Sequence, residues 1–183
     1  MKTVIASILS LGMVLGEGRA VAGQQDPRLD GLFAGLRAAA DAAAAARIEQ
    51  EIWEIWFEMD DPTIAERLSL GVEAMNRRDF QRALGAFDAV IAADSKFAEG
   101  FNRRATLYYL MGNFEASVTD IGQTLALEPR HFGALSGLAL IREAQRRPFE
   151  ALEALEKVMQ IHPRMQHLTQ RVNHLTRQLG DPI

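Results

Sequence analysis

Small, large and turn-forming residues recur along this chain at an unbroken interval of 34. Ala83, Ser117 and Ala151 are spaced by that interval, and so are Phe87, Ile121 and Leu155. Ser95, Pro129 and Pro163 close each unit at the same register, and Gly71, Ala105 and Ala139 repeat it near the start. Apolar residues inside each unit follow the 3.6-residue helical period, and a turn sequence interrupts each unit near its middle. The unit is therefore a helix pair. A pair of that size cannot bury its apolar face alone, so successive pairs must stack into an all-α array.

Three copies are clear: 64–97, 98–131 and 132–165, with internal turns at Arg78-Asp79-Phe80, Gly112-Asn113-Phe114 and Arg146-Arg147-Pro148. The small residues Gly71, Ala105 and Ala139 let the two helices of a unit approach closely. A final helix over 166–179 carries Leu168, Val172, Leu175 and Leu179 on one stripe and polar residues opposite, as the end of a stacked array requires. This pattern resembles the tetratricopeptide repeat (TPR). The resemblance implies a right-handed superhelix of helix pairs, with a concave groove lined by the first helix of each pair.

Upstream, 28–61 is helical in composition, with Leu29, Leu32, Phe33 and Leu36 on one stripe and Ile48, Ile52, Ile55 and Trp56 on another. Two helices with a turn near Asp41 fit this stretch as a divergent repeat-like pair placed before the first clear repeat. Residues 23–27 read as a flexible leader. Residues 1–22 read as a secretory signal peptide: Lys2, an apolar run from Val4 to Leu15, then Ala20-Val21-Ala22 before Gly23. That run falls short of the ~20 residues a membrane span needs. The expected location is periplasmic or secreted, with no membrane span left after cleavage.

Removing Lys2, Glu17 and Arg19 with that segment takes the net charge from −4 to −5, which argues against nucleic acid as a partner. The chain has no cysteine, so packing alone must hold it. No P-loop, dinucleotide turn or nucleophile elbow is present. The four histidines lack metal-ligand spacing, so no enzyme, cofactor or metal is expected.

What the resemblance implies is a non-enzymatic module that binds a peptide or helix in the groove, with exported relatives acting as envelope adaptors or assembly factors. The groove positions are Leu68, Val72 and Met75, then Glu99, Asn102, Arg103, Thr106 and Tyr109, then Gly133, Ser136, Gly137 and Leu140. TPR domains that hold a chaperone's terminal carboxylate use Lys and Asn, then Asn, then Lys and Arg at five of these places. Here Leu68, Val72, Arg103, Gly133 and Gly137 stand there, so that clamp cannot be built. Arg103 and Tyr109 are the candidate anchors, because such residues dominate many interfaces. Arg104 and Asp120, 16 residues apart in paired helices, are expected to form a structural ion pair. The alternative is a self-associating scaffold, a homo-oligomer built through Trp53, Trp56 and Phe57.

Overall fold

The computed structural model describes residues 23–180. The expected signal peptide at 1–22 lies outside the described residues. Within them the chain forms nine α-helices and no strand: α1 (Arg28–Ala38), α2 (Ala42–Phe57), α3 (Pro62–Asn76), α4 (Phe80–Ala93), α5 (Ala98–Leu110), α6 (Phe114–Leu127), α7 (Phe132–Ala144), α8 (Pro148–Ile161) and α9 (Leu168–Gly180).

Each boundary has a local cause. Asp41, Asp61, Asp79 and Asn113 cap α2, α3, α4 and α6 by accepting backbone N–H groups from Ala44, Thr63, Arg82 and Ala116. Pro62 and Pro148 start α3 and α8 at a position where no N–H is needed. The internal turns of the three repeats share one geometry. Arg78, Gly112 and Arg146 occupy the left-handed region at φ 63°, 76° and 56°. The following N–H reaches back to Ala74, Tyr108 and Arg142 carbonyls, which terminates α3, α5 and α7 in the same way.

The pairs α3–α4, α5–α6 and α7–α8 pack most tightly, and α9 closes the array against α8. The small positions are needed where they fall. A Cβ on Gly71 would lie 2.5 Å from the Phe87 ring. Ala105 and Ala139 are buried at the matching contacts.

The N-terminal region departs from the sequence expectation in two ways. The leader is not loose: Gly23–Gln25 form a short 3-10 turn, Gln24 hydrogen-bonds to the Lys96 carbonyl, and Ala98 N–H donates to the Gln24 Oε1 at 3.3 Å. And although 28–57 is a helix pair turning at Ala39–Asp41, it is not mainly stacked on α3 as a preceding repeat would be. Leu29, Phe33, Leu36, Ile52, Ile55 and Trp56 share one core cluster with Phe132, Leu135, Leu155, Val158, Leu168 and Leu175. The hairpin thus lies across the row of inter-repeat turns. Burial decides this placement: at repeat 3 the hairpin reduces Phe33, Leu36 and Ile52 to zero exposure, and each such side chain is worth about 1.5–3 kcal/mol.

Candidate functional site

The open part of the concave face is a cleft of about 220 Å³ between α5 and α7. Asn102, Thr106 and Tyr109 form one wall, and Gly133, Ser136, Gly137 and Leu140 form the other. Ala105, Ile121 and Ile141 make an apolar floor. The walls offer little free polarity. Thr106 Oγ1 donates to its own helix at the Asn102 carbonyl (3.0 Å), Ser117 Oγ donates to the Ala105 carbonyl (2.7 Å), and Ser136 Oγ points to the Met165 sulfur (3.7 Å). Tyr109 is half-buried against Phe114 with ring centroids 5.8 Å apart, and Leu140 is exposed. Chemically this is a neutral, mostly apolar slot with room for one large side chain.

Five expected groove residues sit elsewhere or in another state. Leu68 and Met75 are buried in a core cluster with Phe87, Val90 and Leu107, so α3 uses them for packing, and Val72 lies half-buried against the same cluster. Glu99 is 1% exposed. Its carboxylate accepts from Asn102 Nδ2 at 2.9 Å, Arg103 Nε at 2.6 Å and His131 Nε2 at 3.1 Å. Three donors are what a buried carboxylate needs. Arg103 is consequently occupied: Glu99 holds one edge of its guanidinium, and its plane lies 4.6 Å from the Phe57 ring centre.

The chain's own α2 fills the remainder of the groove's N-terminal end. Trp53 is seated directly on Gly133, where a Cβ would meet its ring at 2.6 Å. Gly133 was expected to line an open groove; the Trp53 ring rests on it instead. Trp56, 1% exposed, stacks on His131 at 4.1 Å with 7° between planes. His131 caps α7 by accepting the Ala134 N–H on Nδ1, which leaves its Nε2–H to donate to Glu99. No local signal in the sequence announces the tryptophan and glutamate partners of His131. Of the three aromatics that suggested self-association, Trp56 is buried in these internal contacts, and Trp53 and Phe57 are half-buried in them.

Arg104 makes the pairing its position implies. Its Nε and Nη2 donate to both Asp120 oxygens at 2.7 and 2.8 Å. A further bond from Nη1 reaches Asp88 on α4 at 2.7 Å, tying repeat 1 to repeat 2. Donation to Asp120, opposed by burial and reinforced by donation to Asp88, holds the guanidinium pKa above its ordinary value.

Among the described residues, no group of three His, Asp or Glu side chains is placed to hold a metal ion, and no helix is long and apolar enough to cross a membrane. No profile of a known protein family matches the chain. A TPR repeat-containing protein of Rhizobium etli is 36% identical over 167 residues, covering 91% of this chain and 82% of the relative. The chain belongs to the tetratricopeptide-repeat family. Solved structures agree on the fold. The first TPR of Spaghetti, bound to the HSP90 peptide SRMEEVD, superposes with a TM-score of 0.62 at 19% identity, covering 67% of this chain and 98% of that one. The Yersinia enterocolitica type III secretion chaperone SycD, in complex with a peptide of the translocator YopD, gives 0.61 at 12% identity, with coverage of 67% and 98%. In this TPR chain the groove is shorter than the repeat count suggests, because α2 occupies its N-terminal end.

Proposed function

We propose that this TPR protein is a non-enzymatic adaptor or assembly factor of the cell envelope that holds an internal segment of a partner protein in the α5–α7 cleft. The observation that carries the reading is the cleft itself: an apolar floor of Ala105, Ile121 and Ile141 under two walls whose Thr106 and Ser136 hydroxyls are already directed to the Asn102 carbonyl and the Met165 sulfur. Such a slot takes an uncharged side chain. A terminal carboxylate has nothing to pair with there, since Arg103 is held by Glu99. TPR relatives of known structure that carry peptides give the general precedent. Export rests on the residue pattern of 1–22 and predicts a mature N-terminus at Gly23 when protein from the native host is sequenced.

The test is photo-crosslinking in the native host. A photoreactive residue at Thr106 or Leu140, both exposed beside the cleft, should trap a defined partner. The same residue at Gln170 on α9 should not. Gly137→Leu, which fills the slot, should abolish trapping at Thr106 while leaving the fold intact, because a Cβ there meets only Ile121 at 3.8 Å. Trapping that persists unchanged in Gly137→Leu would place the binding surface elsewhere.

A further inference from the structure

The three inter-repeat turns occupy one register, 94–97, 128–131 and 162–165, and the N-terminal region grips all three. On the outward path Gln24 bonds to the Lys96 carbonyl, Arg130 Nη1 donates to Asp30 at 2.7 Å, and Arg164 Nε donates to the Ala39 carbonyl at 2.5 Å. Lys96, Arg130 and Arg164 are themselves spaced by 34. On the return path α2 meets the turns in reverse order: Glu49 with His162 at 3.1 Å, Trp56 with His131, and Phe57 against the cluster that contains Phe97. The turns at 128–131 and 162–165 are therefore each held twice, once by each arm of the hairpin, while the turn at 94–97 is held by Gln24 just ahead of it and lies in the cluster that Phe57 packs against.

From this double row of contacts we infer that the α1–α2 hairpin is a clamp that fixes the curvature of the repeat array and thereby holds the α5–α7 cleft at one width. A solenoid's repeats touch only their neighbours, so its curvature is free to vary with small rotations at each interface. Any such rotation changes the spacing of the inter-repeat turns. Here those turns are bridged by α2, whose 16 residues form a rod of about 24 Å that neither stretches nor shortens cheaply. The apolar side of the same rod is integral to the core, since Ile52, Ile55 and Trp56 are each at most 3% exposed. Bending the array would have to break helical hydrogen bonds in α2 or unseat those side chains. Curvature and core integrity are coupled.

The absence of cysteine from the sequence makes the test direct. Gln81→Cys and Phe149→Cys place spin labels at equivalent exposed positions of repeats 1 and 3. In the otherwise unaltered protein the pulsed-EPR distance distribution should be narrow. Adding Glu49→Gln, Trp53→Ala and Phe57→Ala should broaden it roughly twofold or more, while Val118→Ala, a core change in repeat 2 whose cluster holds no hairpin residue, should leave it narrow. Equal widths in clamp and control variants would overturn the inference. Hydrogen exchange on the unaltered chain gives an answer even if the triple variant fails to fold. The amides of α2, α7 and α8 should exchange through one shared opening, whereas an α2 that exchanges much faster than α7 and α8 would show that it does not restrain them.

Discussion

Single side chains in this protein are held by partners whose removal has unequal costs. Asp120 is 3% exposed, and Arg104 is its bidentate partner. Arg104→Ala leaves a buried carboxylate unpaired and should destabilise by about 3 kcal/mol in chemical denaturation. Asp120→Ala should cost less, about 2 kcal/mol, because Arg104 keeps Asp88 and some access to water. A reversed order would mean that Asp88 contributes nothing. Gly133→Ala should destabilise by about 1–3 kcal/mol through overpacking against Trp53, and most of that penalty should vanish in a Trp53→Ala background. Glu49 supplies a pH signature. The hydrogen bond from His162, opposed by burial, lowers its pKa below the ordinary glutamate value. A lowered folded-state pKa gives stabilisation that is complete above the unfolded value of about 4.3 and is lost as pH falls through the folded one. Glu49→Gln should therefore cost about 0.5–1 kcal/mol at pH 7, a figure reduced for its partial exposure, and progressively less as the pH falls below about 4.3. A difference that stays constant across that range would show that the carboxylate's charge is irrelevant.

At the level of helices and turns, the internal turns combine repetition with a local conflict. Gly112 suits its left-handed conformation, but Arg78 and Arg146 adopt the same backbone geometry with a Cβ present. Arg78→Gly and Arg146→Gly should each raise stability by about 0.5–1 kcal/mol, the relief of strain outweighing the extra freedom gained by the unfolded chain. Thermal melts of the two single variants check this. The same turns show what could be read from residues alone. Period and small-residue spacing identified α3 to α8 because the partners of each helix lie within the same or the next unit. Arg104 and Asp120 were legible for the same reason. The cleft's residues were legible as a face, but not that Leu68 and Met75 leave it for the core, since burial of an apolar residue on a helix depends on how closely the next pair approaches. The placement of α1 and α2 was illegible. Their apolar stripes fit either a preceding repeat or an edge clamp, and the residues that decide, Arg130, His131, His162 and Arg164, lie far along the chain.

As a whole, the molecule couples what a solenoid ordinarily leaves local. Hairpin contacts span 100 residues for Asp30–Arg130, 113 for Glu49–His162 and 125 for Ala39–Arg164. They join the first helices to the second and third repeats, so the described array should melt in a single transition, with helical circular dichroism and tryptophan fluorescence coincident. Deleting residues up to Phe57 uncovers Phe132, Leu135 and Leu155, which should lower the melting temperature by about 10 °C or more and separate the repeats' transitions. Coincident curves at an unchanged temperature would show that the repeats stand without the hairpin.

The clamp also sets an order of birth. The hairpin's residues are all present once Phe57 has been added, but His162 and Arg164 arrive more than 100 residues later. At ribosomal speeds of about 5–20 residues per second, that interval is on the order of 5–20 s. During it the faces of Phe33, Leu36, Ile52 and Trp56 have no seat, while the first repeat can already pair its own helices. The segment made first is among the last to find its place, and a nascent chain halted before residue 162 would present those faces to whatever holds unfinished proteins.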